Sequence, residues 1–196
     1  MLTKAQTSRE MVFPFFPQGE RLTPFMRACA LWATLEEHDK ILDMACGSGA
    51  LLSFLNDRYR LTLCGMCDSP EQARAVRQRL EDADVISARL EDIPWRGEIF
   101  HAVLLPVLLR GEEMRQALSE AYRVLRPGGQ IVLAARLLPF RGEGELTSRE
   151  TMRLMQEIGF REVSCRAAGL AGAVIGWKHK EMQAEGRCLI RPGKLF

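Results

Sequence analysis

The segment Lys40-Ile41-Leu42-Asp43-Met44-Ala45-Cys46-Gly47-Ser48-Gly49-Ala50-Leu51-Leu52 constrains what this chain can fold into more than any other. Ile41, Leu42 and Met44 form an apolar run of the length of a buried strand, and a helical pattern of Ala50, Leu51, Leu52, Phe54 and Leu55 follows directly. Gly47 and Gly49 fall in the turn between them. Glycine there allows positive φ, and its missing Cβ lets a ligand lie against the main chain where helix N–H groups begin. The segment implies a nucleotide-binding turn. It is not a dinucleotide fingerprint, because G-x-G-x-x-G spacing would need glycine where Leu52 stands, so an NAD-binding oxidoreductase fits poorly.

Strand and helix signals alternate on either side. Glu20 to Glu37 carries apolar residues at three and four spacing and reads as a helix, and Leu61 to Cys67 as a second buried strand. Ser69-Pro70-Glu71-Gln72 opens the next helix with a serine cap, a proline at the first helical position and Gln72 completing a capping box. Asp84 to Ala88, Ile99 to Leu105 and Gln130 to Arg136 read as the third, fourth and fifth strands. A helix from Gly111 stops before Pro127, and another runs from Ser148 to Ile158 and ends at Gly159. Phe160 to Ala167 and Gly172 to Lys178 are strands close enough to pair antiparallel. The fold expected is α/β, a Rossmann-like doubly wound sheet, mostly parallel and seven-stranded, with one antiparallel strand near the C-terminus.

With 196 residues, 47% of them hydrophobic, the chain has material for one core. Net charge is +2 with Lys and Arg spread along the chain, which argues against a nucleic-acid surface. No secretion signal or membrane-length apolar run is present, so a cytoplasmic protein with no membrane association is expected. Six cysteines sit mostly in apolar segments, as buried reduced thiols do. Cys64 and Cys67 have CxxC spacing without a second pair, and residues three apart on a strand face opposite sides, so no metal site is expected.

From Leu42 to about Lys178 the order of signals resembles the class I S-adenosylmethionine-dependent methyltransferases that act on small molecules. The glycine turn is similar to their motif I, with Ala45 in place of the first glycine. Gly65-Met66-Cys67-Asp68-Ser69-Pro70-Glu71 resembles G-x-D-x-S-P-E, Leu90-Glu91-Asp92-Ile93-Pro94-Trp95 the acidic loop before strand four, and Arg123-Val124-Leu125-Arg126-Pro127-Gly128-Gly129 the R-V-L-K-P-G-G turn. The resemblance implies S-adenosylmethionine as cofactor. Asp43 would help hold its methionine amine, Ala45, Gly47 and Gly49 would let it approach the backbone, an acid closing strand two would bond the ribose hydroxyls, and the loop with Glu91 and Asp92 would read the adenine. It implies one methyltransferase-like domain over 1–196. Residues 1–37 form an N-terminal loop and helix, 38–180 the cofactor-binding core and 181–196 a tail.

Several family acids are replaced. The ribose acid falls on Cys67, a thiol that cannot accept two hydroxyl bonds as a carboxylate can. Asp68, one residue on, either takes over that contact if the strand is one residue longer or simply precedes the Ser69 cap. Arg89 stands for an acid before the adenine loop, and His101 for the usual Asp at the start of strand four. His101 lies at the wrong end of its strand to act as a base and is expected to be structural, as is His38. No role is assigned to His179, and the catalytic residues are unknown.

Methyl transfer from a sulfonium is a direct displacement in which positioning carries most of the rate. A base is needed only if the acceptor must lose a proton. Leu105-Pro106-Val107-Leu108-Leu109 lacks the Asn/Asp-Pro-Pro-Tyr run used on amino groups, and with Phe13, Phe15 and Phe16 it suits a small or hydrophobic acceptor. The proline-broken segment around those phenylalanines either packs on the domain or closes over the ligand as a lid. A second reading is a degenerate module that binds the cofactor weakly or not at all and acts through a protein partner.

Overall fold

The computed structural model describes residue 22 and residues 24–136, 146–168 and 171–179. The N-terminal aromatic segment, the expected tail with Cys188, and residues 137–145 lie outside the described residues.

The sheet is built outward from β1 (Lys40–Asp43), whose last three residues have no exposed surface. On one side β1 pairs in parallel with β2 (Thr62–Cys67), and β2 with β3 (Asp84–Ser87). On the other it pairs in parallel with β4 (Phe100–Leu105), and β4 with β5 (Leu125–Arg136). β7 (Ala171–Trp177) runs antiparallel between β5 and β6 (Arg161–Ala168), giving the order β3-β2-β1-β4-β5-β7-β6. One strand of seven is therefore reversed, as the sequence pattern implies.

Period-two alternation divides the core between the two faces of the sheet. Ile41, Leu63, Ala102 and Val132 pack with α1 (Pro24–Trp32), α2 (Ala50–Asn56) and α3 (Pro70–Arg79). Leu42, Cys64, Val103 and Ile131 pack with α4 (Gly111–Val124) and α5 (Ser148–Ile158) on the other face. Cys64 and Cys67 belong to opposite faces, so their CxxC spacing brings no sulfurs together. Cys29, Cys46, Cys64 and Cys67 are buried free thiols, whereas Cys165 is exposed.

Several boundaries differ from the sequence pattern, two of them by five residues. α1 ends at Trp32 instead of Glu37, because the Thr34 carbonyl leaves the helical path to accept a 2.7 Å hydrogen bond from the buried Gln130 side chain. β5 begins at Leu125 instead of Gln130. Arg126-Pro127-Gly128-Gly129 is carried as an irregularity within the strand, since Gly128 N–H donates to the Lys178 carbonyl and Lys178 N–H to the Gly129 carbonyl. At α3 the Ser69 hydroxyl accepts the Gln72 N–H at 3.2 Å, but the Gln72 side chain does not return a bond to the Ser69 N–H, so the expected box is half formed. A complete box stands instead at α5, where Thr147 and Glu150 exchange bonds. β6 shifts register between Arg161 and Ser164, with Glu162 at φ 51.

At the amino end of the sheet, His101 Nδ1 accepts the Lys40 N–H at 3.0 Å and Nε2 faces Asp39 Oδ1 at 3.4 Å. Asp39 Oδ2 in turn accepts the Glu36 N–H. The imidazole is a clamp between β1 and β4, far from the strands' carboxyl ends. Among the described residues no helix is long and apolar enough to cross a membrane. His101→Leu leaves the Lys40 N–H without its acceptor and should lower unfolding free energy by about 1–3 kcal/mol in a urea melt. A midpoint equal to that of the parent would show that the clamp contributes nothing.

Candidate functional site

Strand order reverses between β1 and β4, and in open α/β sheets ligands bind at the carboxyl edge of such a reversal. Asp43 closes β1 there. Its carboxyl has no exposed surface; Oδ1 accepts the Ala45 N–H at 3.1 Å, and Oδ2 has no partner among the described residues. Burial pushes the carboxyl up from its ordinary range to about 7, with the Ala45 bond pulling the other way. Buried polar atoms are almost always satisfied, so an orphaned carboxylate oxygen at a ligand-binding edge marks a place for a donor, best a cationic one.

The turn after Asp43 is stitched to both neighbouring strands. Met44 N–H donates to Leu104 and Cys46 N–H to Met66, each at 2.9 Å, and Gly49 N–H donates to Cys46 at 2.7 Å. The Arg79 guanidinium, from the end of α3, also donates to the Ser48 carbonyl. Gly47 is exposed at φ 49, and a Cβ built there would meet no protein atom within 4 Å. The space above it is open, as a cradle for a ligand requires. Gly49 differs: at φ 78 it is buried at the start of α2, and a Cβ would come within 2.6 Å of Val76 on α3. Its absent side chain lets α3 approach. Ala45 is half-buried between Asp43 and this turn.

β2 ends at Cys67, so the strand is not one residue longer, and Asp68 is exposed between its end and the Ser69 cap. The Cys67 sulfur lies 2.9 Å from that of Cys46 and 3.6 Å from the Gly47 carbonyl. Either thiol can donate to the other, and with burial the contact pushes the Cys46 thiol up while it holds Cys67 below the ordinary range. The Cys67 carbonyl accepts the Ala88 N–H at 3.3 Å, which brings the loop from Ala88 to Trp95 beside the same edge. In that loop Arg89 turns its guanidinium onto the Glu91 carboxylate, with Nε at 2.6 Å, and Asp92 is exposed with its N–H on the Arg89 carbonyl.

One positioning residue is visible only in the structure. Arg123, the arginine of the R-V-L run, donates to the carbonyls of Ile93 at 2.7 Å and Trp95 at 2.9 Å while paired with Glu120. Glu120 also accepts the Ile93 N–H at 2.9 Å. The pair fastens the far end of the loop to α4, and its i,i+3 spacing was the available signal. After β4, Pro106 and Leu109 are buried and Val107 and Leu108 half-buried against opposite faces of the sheet, as core packing would have them. No cluster of three or more His, Cys, Asp or Glu suited to a metal occurs among the described residues.

The methionine end of S-adenosylmethionine fits what is present, an orphaned carboxylate oxygen and an open glycine; the ribose end meets a thiol at the position of the family acid. Residues 42–133 match a family model described as a methyltransferase domain. The demethylmenaquinone methyltransferase of Chlorobaculum tepidum is 26% identical over 136 residues, covering 69% of this chain and 53% of that protein. The chloroplastic 2-phytyl-1,4-beta-naphthoquinone methyltransferase of Arabidopsis thaliana is 32% identical over 111 residues, covering 51% and 42%. The chain thus spans about half the length of the curated relatives it matches. Human N-acetylserotonin methyltransferase, solved in complex with S-adenosylmethionine, shares the fold at a TM-score of 0.65 and 19% identity, over 79% of this chain and 52% of that one. Residues 42–133 thus resemble a methyltransferase domain, and the seven-stranded sheet reversed once near the C-terminus is the fold shared with solved methyltransferases.

Proposed function

We propose that the chain binds S-adenosylmethionine and transfers its methyl group by direct displacement to a small, apolar acceptor. The observation that carries this is the orphaned Oδ2 of Asp43, a buried acceptor at the switch-point edge for which an ammonium group is the natural partner. When bound, the cofactor supplies an electrophilic methyl carbon. The chain's own work is positioning. Asp43 holds the amine, Ala45 and Gly47 keep the backbone open while Gly49 lets α3 pack against the turn, and Glu91 and Asp92 border the adenine; with β2 ending at Cys67, Asp68 precedes the Ser69 cap. We assign no general base. Relatives named for quinone substrates support an apolar acceptor. On this reading the chain is one cytoplasmic domain, with a core over 38–180, a tail over 181–196 and the first 37 residues contributing to the acceptor side.

The second reading, a degenerate module working through a protein partner, is favoured by Cys67 at the close of β2 and by Arg89 lying on Glu91. Isothermal titration with S-adenosylmethionine and S-adenosylhomocysteine separates the two, since a module would take up neither.

Gly47→Val should abolish binding of S-adenosylhomocysteine while circular dichroism shows a folded protein, because the new side chain meets ligand space and not protein and a β-branched residue at φ 49 strains the turn itself. Undiminished affinity would place the site elsewhere. Asp68→Ala should leave the dissociation constant unchanged, because β2 ends at Cys67; a rise of about tenfold or more, which corresponds to roughly 1.4 kcal/mol, would return Asp68 to the site.

The pH dependence follows from Asp43. Its carboxyl titrates near 7 in the folded, ligand-free protein, and an ammonium partner favours the charged form, so binding expels the proton. Affinity should be level above pH 7 and fall by up to about tenfold per pH unit below it, and Asp43→Asn should flatten the profile. The same shift acts on stability with its own sign. A carboxyl raised above its ordinary 3.8 stabilises the ligand-free fold fully below that value, and the contribution is lost as pH rises through about 7. A pH-independent affinity in the parent would show that Asp43 does not meet the amine.

A further inference from the structure

We propose that Cys46 and Cys67 form a reversible disulfide that draws the glycine turn onto the end of β2 and weakens cofactor binding. The effect on binding rests on the reading above; the disulfide does not. The two sulfurs already stand 2.9 Å apart, nearer than unbonded sulfurs usually pack, while both residues are free thiols. A backbone bond from Cys46 N–H to the Met66 carbonyl holds the turn beside the end of β2. No other pair of thiols among the described residues makes such a contact. The contact with Cys46 holds the Cys67 thiol below its ordinary range, which makes Cys67 the attacking sulfur.

With a peroxide as oxidant the chemistry balances. The Cys67 thiolate attacks one peroxide oxygen, the O–O bond breaks, and the leaving hydroxide takes a proton to become water, leaving a sulfenic acid on Cys67. The Cys46 sulfur then attacks the Cys67 sulfur, the S–S bond forms, and the departing hydroxide takes the Cys46 proton as a second water. Two thiols are oxidised and one peroxide is reduced. Closing to a bond of about 2.05 Å moves the sulfurs together by roughly 0.9 Å. That strain falls on Cys46-Gly47, where the Gly47 carbonyl also faces Cys67 and the backbone must stay open for a ligand. Binding sites tolerate displacements of only about 0.5 Å.

The test uses the full chain, reduced and then treated with hydrogen peroxide, blocked with iodoacetamide and digested with trypsin. The expected product is peptide 41–58 joined to peptide 61–74, with fragmentation placing the link on Cys67 and not on Cys64, and with dithiothreitol reversing it. The dissociation constant of S-adenosylhomocysteine should rise roughly tenfold or more on oxidation, recover on reduction, and not respond to peroxide in Cys46→Ser. Absence of the linked peptide, or a link through exposed Cys165, would overturn the disulfide. A link without change in affinity would overturn its control of the site. A linked peptide from a chain that binds no S-adenosylhomocysteine when reduced would uphold the disulfide and sink the cofactor reading instead.

Discussion

A carboxyl buried at the end of the central strand, with one oxygen bonded and the other without a partner among the described residues, is the constraint on which the rest of this structure depends. Leaving such a group in the interior is unfavourable, on the order of 4 kcal/mol when its charged form is demanded at neutral pH. The surrounding sheet offsets that cost. β1 is flanked by parallel strands on both sides, its apolar residues are inaccessible from both faces, and the chain beyond Asp43 is bonded alternately to β4 and β2. The strand end cannot relax toward water to solvate the carboxyl. A ligand that brings a donor there gains what the empty protein lacks.

The sheet has two working ends with different tasks. At the amino end, His101, Asp39 and the Lys40 amide join β1 to β4 and fix the register in which Asp43 emerges. At the carboxyl end, the turns are held by groups whose partners lie far off in the chain: Arg79 on the Ser48 carbonyl, and Arg123 on the carbonyls of Ile93 and Trp95. Rigid placement of loops by a packed scaffold is what a displacement reaction controlled by orientation demands.

Much of this was legible in the chain because it is local. Short apolar runs, a serine before a proline and the glycine spacing name the elements that structure then shows, and Asp43 stands where an acid ending such a strand must stand. What was not legible depends on residues distant in sequence. The end of α1 answers to Gln130, the start of β5 answers to Lys178, and the sulfurs of Cys46 and Cys67 meet only because β1 and β2 are neighbours. Gly47 and Gly49 look equivalent in the motif, yet one opens space for a ligand and the other makes room for Val76. No pattern within thirteen residues distinguishes those two reasons.

The register shift in β6 has a consequence for how the molecule behaves among its own kind. β6 is the outer strand among the described residues, and its edge would otherwise offer an unbroken row of amides and carbonyls to a neighbouring chain. The irregularity between Arg161 and Ser164, with Glu162 in a left-handed conformation, breaks that row near its beginning, and Arg161, Glu162 and Arg166 are exposed along the strand. A bulge and like-charged arginines make a poor template for strand addition. The reversal that completes the sheet therefore also gives it an edge on which further strands do not readily grow.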